Sequence, residues 1–597
     1  MKSFVRQFVR RSDGRIMLVR SIRARRLVVT LAMCVLCLLT GGSASALAQQ
    51  GDYLILHTAE LAEPAREWGA YRAADGWRVE TINVDGLTVD RRRERSSESI
   101  AAAIQLELRR RFNEAWQRGH DPSDFAVLLL GPVSHGDGRP AIPIWRRPQT
   151  DPDLIGRDGL ADIATDLNYQ FADDLDDLPD FPLGRVPARS VAEALAALDK
   201  VKRYETAAPS GPWRRRLTYL AGEAGFGPID AVLERLFVRL VDQVVPYEFD
   251  VGMTYANPRS PYCAPPSRFG EIVLERLSDG ALMVNYMGHG QVNMLDRLTI
   301  GDQRYDICSI ESLRRLRPSG NRLPIALLVA CWTGRIDLPA DRRGLGEMML
   351  FHPHAPVAVI ASGRITHPYA NALLQKSFTQ QLCVQRRSTV GLAHLAALRA
   401  LAEPDEIDRQ LESLAQPIAL AMKWATSPAD LRLMHIGMYG LLGDPALRIA
   451  YPPGEIVDWT FDAKARQVSG SVAGAVRGEA IITIETTRET IHRAAEMHAT
   501  IGAGGAALDA ALSHNYTIAN NKVLWRTTVA LDEAGRFSAA LPRESLDHPQ
   551  AAWVKAYVSA LDAAGAVVDG FASARLRVPG DPVAGIASPT GPESTGR

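Results

Sequence analysis

The sequence predicts an α/β protein: two consecutive α/β units with mostly parallel sheets over about residues 49–452, then an antiparallel β-sandwich. Three observations predict this. Short apolar runs alternate with stretches of helical spacing, the grammar of a parallel sheet covered on both faces. The alternation resumes after about residue 210. Around Pro452 and Pro453 it gives way to short alternating runs broken by Gly, Asp-Glu and Ala-Gly turns, which suits a sandwich. The chain of 597 residues, 46% apolar and 23% charged, is long enough for about three or four folding units and too apolar for wholesale disorder.

In the first unit (49–210), Asp52–His57 reads as a buried strand, followed by a helix to about Asp75 and a strand at Trp77–Val84. Ser97–Gln117 has helical spacing, and Phe125–Leu130 (FAVLLL) is a continuous apolar run. In the second (211–452), Leu217–Ala221, Leu282–Met287, Ile325–Ala330 and Pro356–Ala361 read as strands. Ile229–Gln243, Gly270–Leu277, Asn371–Leu382, Gly391–Ala402 and Gln416–Thr426 read as helices. The sandwich (453–578) is expected from Trp459–Phe461, Val468–Val472, Ala480–Thr486, Val523–Leu531, Arg536–Leu541 and Val554–Leu561. Residues 579–597, rich in Pro, Gly, Ser and Thr, read as a disordered tail.

Residues 1–48 read as a signal peptide. Four arginines between Arg20 and Arg26 precede the apolar run Leu27–Thr40, and Ala46-Leu47-Ala48 offers a small-x-small cleavage site. The run is short for a membrane span, so no permanent span is expected once it is removed. Cleavage would take Cys34 and Cys37 and leave Cys263, Cys308, Cys331 and Cys383, which is no disulfide framework. The 68 basic and 68 acidic residues balance, leaving no electrostatic footprint for nucleic acid or an anionic membrane. Only eight of the basic residues are lysines, which points to base composition rather than to a phosphate-binding surface.

Two strands end in chemistry. Leu282–Met287 runs into Gly288-His289-Gly290, and Ile325–Ala330 runs into Cys331, 42 residues beyond the His. A Cys closing an apolar strand is, taken alone, an ordinary core residue, and a His between glycines an ordinary turn residue. Together, beyond the carboxyl ends of neighbouring parallel strands, they suit thiol catalysis. An imidazole can draw off the thiol proton and deliver it to a leaving amine. The Gly290 and Cys331 amides are natural oxyanion donors.

Further pieces stand in order along the chain. They are DYLIL at Asp52, GWRV at Gly76, FAVLLLG at Phe125, and DFPLGRVPAR at Asp180 before the helix VAEALAALDKVKRYE. NYMGHGQ at Asn285, LPIALLVACWTGRID at Leu323, GLGEMML at Gly344, PVAVIASGR at Pro356 and MYGLLGDPALRI at Met438 follow. With Ala-Cys-x-x-Gly downstream of Gly-His-Gly, the chain is similar to the caspase-like cysteine peptidases and, within them, resembles the gingipain family. The resemblance implies caspase-like three-layer units followed by an immunoglobulin-like domain, a Cys331 nucleophile, a His289 proton carrier and an acidic partner for the His. Asp180 is the best match for that acid, with Asp166 second.

The resemblance implies polypeptide substrates and an exported, periplasmic or surface location. It requires no cofactor for the chemistry. Gingipain-like enzymes bind calcium, and Asp173–Asp180 could hold it, although the run lacks the glycine and distal Glu of an EF-hand loop and reads equally as a solvated loop. Gln291 stands where family members carry a small Ser lining the specificity pocket, so Arg or Lys specificity is not inherited; Trp332 completes the expected substrate contacts. Transpeptidation with an amine acceptor, and a surface binding protein that kept the fold without the activity, are the rival readings. His352 and His354 lack a third metal ligand, His367 and His435 read as surface or loop residues, and GEAGFG at Gly222 lacks the rest of a nucleotide loop.

Overall fold

The computed structural model describes residues 51–87, 96–134, 140–223, 230–500 and 504–576. The expected signal peptide and tail lie outside these residues.

Ten of the fourteen described strands of the two α/β units join into one sheet, and the other four form two separate pairs. In chain order they are β1 (Gly51–His57), β2 (Trp77–Asn83), β3 (Phe125–Leu130), the hairpin pair β4 (Trp145–Pro148) and β5 (Asp162–Thr165), and β6 (Leu183–Val186). There follow β7 (Arg216–Ala221), β8 (Asp250–Tyr255), β9 (Met283–Met287), the hairpin β10 (Arg297–Ile300) and β11 (Gln303–Asp306), β12 (Ile325–Val329), β13 (Ala358–Ser362) and β14 (Tyr439–Leu442). The ten-stranded order is β2-β1-β3-β6-β14-β13-β12-β9-β7-β8. All neighbours pair in parallel except β13 and β14, which are antiparallel. Two parallel blocks of opposite direction therefore share one sheet. The strands β1, β3, β12 and β13 are buried along their whole length, which is why they read as unbroken apolar runs.

β14 carries the junction, and its turn is fixed by Asp444. This fully buried carboxylate accepts from Tyr53 Oη (2.8 Å), Trp68 Nε1 (2.6 Å), Arg72 Nε (2.9 Å), Arg72 Nη2 (2.7 Å) and the Ala446 amide (2.8 Å). Gly443 donates to the Arg185 carbonyl of β6 (2.8 Å). A Cβ on Gly184 would meet the Gly443 carbonyl oxygen at 2.3 Å, so close passage requires glycine there.

The C-terminal region holds a three-stranded sheet, β15 (Ile456–Asp462), β16 (Gln467–Val472) and β19 (Arg536–Ala540). Facing it are β18 (Val523–Ala530), β17 (Arg477–Glu485), β20 (Trp553–Leu561) and β21 (Gly570–Arg575), all antiparallel. Val468, Ile482, Ile484, Phe537, Val554 and Val558 fill the space between the sheets. The helix Gly505–Asn520, inserted between β17 and β18, is not expected from the sequence, because its Ala-rich stretch is only weakly amphipathic. It packs on the edge strand β8: the Asn520 amide accepts from Met253 N (2.8 Å) and donates to Met253 O (3.0 Å), as a neighbouring strand would. The helix expected at Gln416–Thr426 instead spans Glu406–Met422, capped by Asp405 and with Pro417 inside it.

Polar contacts weld the sandwich to the sheet. Lys555 Nζ reaches Asp250 (2.6 Å) and Glu485 (3.1 Å), and buried Asp569 accepts from Ser210 Oγ (2.6 Å), Gly211 N (2.9 Å) and Tyr557 Oη (2.7 Å). A cavity of about 270 Å³ remains at this seam, lined by Arg215, Asp250, Arg488 and Lys555 among others.

Removing the Asp444 carboxylate strands Nε and Nη2 of buried Arg72 and three further donors, Tyr53 Oη, Trp68 Nε1 and Ala446 N. Asp444→Ala is expected to cost on the order of 3–5 kcal/mol, read as a lowered denaturant midpoint against wild type.

Candidate functional site

Val329 of β12 pairs with Met287 of β9 at the last rung of their ladder. Two residues beyond each, His289 and Cys331 leave adjacent strands at the same level. The two loops touch: a Cβ on Gly290 would meet the Cys331 carbonyl oxygen at 2.6 Å and the Ala330 and Thr333 side chains at 2.8 Å. Glycine after the His is therefore required by packing. Tight turning continues as Gln291 N donates to Met294 O (2.8 Å), leaving the Gln291 side chain exposed.

The helix Leu345–Phe351, part of the GLGEMML segment, fastens both loops from below. Leu345 N donates to Val292 O (2.7 Å) behind the His, and Gly346 N to Thr333 O (2.8 Å) behind the Cys. A Cβ on Gly344 would lie 2.6 Å from Arg335 O and one on Gly346 2.8 Å from Thr333 O, which explains the Gly-Leu-Gly pattern.

All four described cysteines are free thiols. Burial pushes Cys263 up to about 12, Cys308 up to about 11 and Cys383 higher still, so these three are inert core residues. Cys331 alone among them is part-exposed. Its Sγ accepts from Thr366 N (3.4 Å) and lies 3.7 Å from Thr366 Oγ1. That hydroxyl accepts from Asn371 Nδ2 (2.8 Å), whose Oδ1 accepts from Tyr439 Oη of β14 (2.7 Å). His289 is exposed, free to meet the thiol and a substrate.

The backbone just after Cys331 is strained. Trp332 has φ 57°, left-handed for a bulky residue, and its amide donates to Arg364 O (3.2 Å). Among the described residues no hydrogen bond takes up the N–H of Gly290 or Cys331, so both remain available to an oxyanion. Arg364, 1% exposed, locks the neighbouring loop: its guanidinium binds Asp162 of β5 (2.9 Å) and Asp337 (2.8 Å). Arg146 and Arg335 pair with these same carboxylates.

The structure does not bring the expected acids, Asp180 and Asp166, to His289. Asp180 accepts from the Ala172 amide (2.8 Å) and faces Arg399 (3.5 Å), at the start of β6. β14, β13 and β12 intervene between β6 and β9, about 19 Å across the sheet at the usual strand spacing. Asp166 is spent on a bidentate pair with Arg185 (2.7 Å to each oxygen). Asp296 lies within electrostatic reach of His289: burial holds its carboxyl up, against the pull of the Arg297 amide, His289 and the Arg297 guanidinium.

The residues Asp173–Asp180 do not fit a calcium ion. Asp174 and Asp177 pair with Arg109 and Arg147, while Asp173 and Asp176 accept the Leu175 and Leu178 amides of their own turns. Among the described residues no group of three or more His, Cys, Asp or Glu is gathered for a metal. His435 is not a surface residue: it is fully buried, pushed down to about 3 by burial, and its Nε2 accepts from His367 N (2.8 Å).

Glu347, on the fastening helix, is 1% exposed. Burial pushes it up to about 7 against the pull of Arg343 and Arg189. Its folded value lies above the ordinary 4.5, so the stability it contributes is complete below about 4.5 and is lost as the pH rises through 7. Glu347→Gln is therefore expected to gain on wild type between pH 5 and pH 8, by on the order of 3 kcal/mol at the upper end, in paired melting curves.

The model of a family described as Peptidase family C25 matches residues 46–450. The crystal structure of the Arg-specific cysteine proteinase gingipain R is similar at 16% identity, covering 87% of this chain and 98% of that one, with a TM-score of 0.48. A complex of Porphyromonas gingivalis RgpB pro- and mature domains is similar at 16% identity, covering 87% and 99%, TM-score 0.47. A structure titled a protease is similar at 13% identity, covering 88% and 97%, TM-score 0.49. No curated protein matches the chain.

Proposed function

The chain belongs to peptidase family C25, the gingipain family, and is a cysteine peptidase acting on polypeptides; on that premise we propose that Cys331 and His289 carry out the hydrolysis. The observation that supports this best is the packing of Gly290 on the Cys331 backbone at the shared end of β9 and β12, with Cys331 the one part-exposed thiol among those described.

In this reading Cys331 Sγ gives its proton to His289 and attacks the scissile carbonyl. The carbonyl oxygen takes the negative charge and meets the N–H groups of Gly290 and Cys331. The imidazolium then protonates the leaving amine as the C–N bond breaks, leaving a thioester on Cys331. Water, deprotonated by the same imidazole, attacks the thioester, and the thiol and carboxylate product are released. Gln291 and Trp332 flank the substrate. We further propose export through the basic lead and apolar run at residues 20–40.

Peptidyl ketones bearing Arg, Lys, Ala or Asn before the warhead test the reading on the secreted chain. Covalent labelling is expected at Cys331 alone, graded across the four probes. Cys331→Ala and His289→Ala are each expected to lower peptide hydrolysis at least about 10³-fold. Labelling of Cys331 no faster than of Cys263, Cys308 or Cys383 would reject it.

A further inference from the structure

The seam between the sheet and the sandwich gathers charge unevenly. Six cationic side chains line its cavity, Arg215, Arg216, Arg488, Lys522, Arg526 and Lys555, against two carboxylates, Asp250 and Glu485. The whole chain is neutral, with 68 basic and 68 acidic residues, so this excess is local. Both carboxylates are already engaged. Asp250 lies 2.9 Å from Arg215 Nε and 2.6 Å from Lys555 Nζ, while Glu485 accepts from Lys555 (3.1 Å) and from Thr483 Oγ1 (2.7 Å).

The other cations are held by neutral groups or by none. Arg488, 7% exposed, donates to the carbonyls of Val245 (2.5 Å), Pro246 (2.7 Å) and Phe249 (3.1 Å). Lys522 donates to Thr490 O (2.9 Å) and Tyr262 Oη (3.2 Å), and burial pulls its ammonium down to about 8. Arg216 donates to Gly280 O (2.9 Å), and Arg526 is exposed on β18. Among the described residues the cavity's ion pairs are those of Arg215 and Lys555, and none reaches these four. Even Arg215 is incompletely met. It is 5% exposed, yet its Nε and Nη1 make no hydrogen bond among the described residues.

Carbonyls orient a cation without cancelling its charge, and cations crowded into a partly dry space repel one another. An anion completes such a site. Guanidinium forks match the paired oxygens of phosphate and carboxylate, and a space of about 270 Å³ suits a small molecule. The cations come from both sides of the seam: Arg215 and Arg216 from the amino end of β7, and Arg488, Lys522, Arg526 and Lys555 from the sandwich. Because β7 and β9 run parallel, the cavity lies at the opposite end of the strands from His289 and Cys331.

We propose that the seam cavity binds a small multivalent oxyanion, carrying phosphate or carboxylate groups, that bridges the sheet and the sandwich. The ligand is a clamp and takes no part in peptide hydrolysis. It relieves the repulsion at the seam, so the docked sandwich gains stability with the ligand's occupancy.

The full chain is titrated calorimetrically with pyrophosphate and with citrate at constant ionic strength, and its melting temperature is followed in the same buffers. One site per chain is expected, with a melting temperature that climbs with the logarithm of ligand concentration. Sodium chloride at the same ionic strength is expected to give neither. Tighter pyrophosphate binding identifies a phosphate ligand, and tighter citrate binding a carboxylate one. Arg526→Gln, at an exposed position where folding is unaffected, and Lys522→Gln are each expected to weaken binding about tenfold. Arg536→Gln, which removes an exposed arginine of the same sandwich outside the cavity, is expected to leave binding unchanged. A response that chloride reproduces overturns the proposal. So does affinity that is equal in wild type, Arg526→Gln and Lys522→Gln, or that falls as far in Arg536→Gln.

Discussion

The buried carboxylate of Asp444 is the interaction on which the architecture depends. One side chain accepts hydrogen bonds from β1, from two residues of the helix Ala62–Ala74 and from its own turn. Charged Arg72 satisfies it and is itself shared with Glu205 (2.9 Å). A lone charge at this depth would be prohibitively costly; a charge with five donors is stable and directional. It holds β14 where the two parallel blocks meet.

From that junction the site is assembled mainly by backbone. His and Cys loops rest on each other at Gly290, on the helix Leu345–Phe351 through two amides, and on the β13 loop through Trp332 and Arg364. Each contact is closer than a side chain would allow, which accounts for glycine at 290, 344 and 346. Side chains enter where charge or orientation must be set: Arg364 between Asp162 and Asp337, and Thr366 against the thiol.

The parts of this arrangement that are legible in the sequence are those encoded locally. Apolar runs mark β1, β3, β9, β12 and β13, and the glycines and unusual strand ends mark His289 and Cys331. What stays hidden depends on distant partners. β14 is only four residues long and reads as part of a turn, yet it lies between β6 and β13 because of contacts with Tyr53, Trp68 and Arg72, almost 400 residues away. Asp180 resembles an orienting acid by position along the chain, but strand order decides proximity, and three strands separate it from β9.

The Asn520 amide paired with Met253 has a consequence for how the molecule lives among its own copies. A sheet of ten strands ends in two raw margins, and an uncovered margin recruits whatever strand drifts past, identical chains first. On the β8 side the inserted helix imitates an eleventh strand for a single residue and then turns away, so the ladder is terminated rather than extended. The C-terminal region is thereby a stopper. A proteolytic nick that released it would uncover the β8 margin to pairing with another strand.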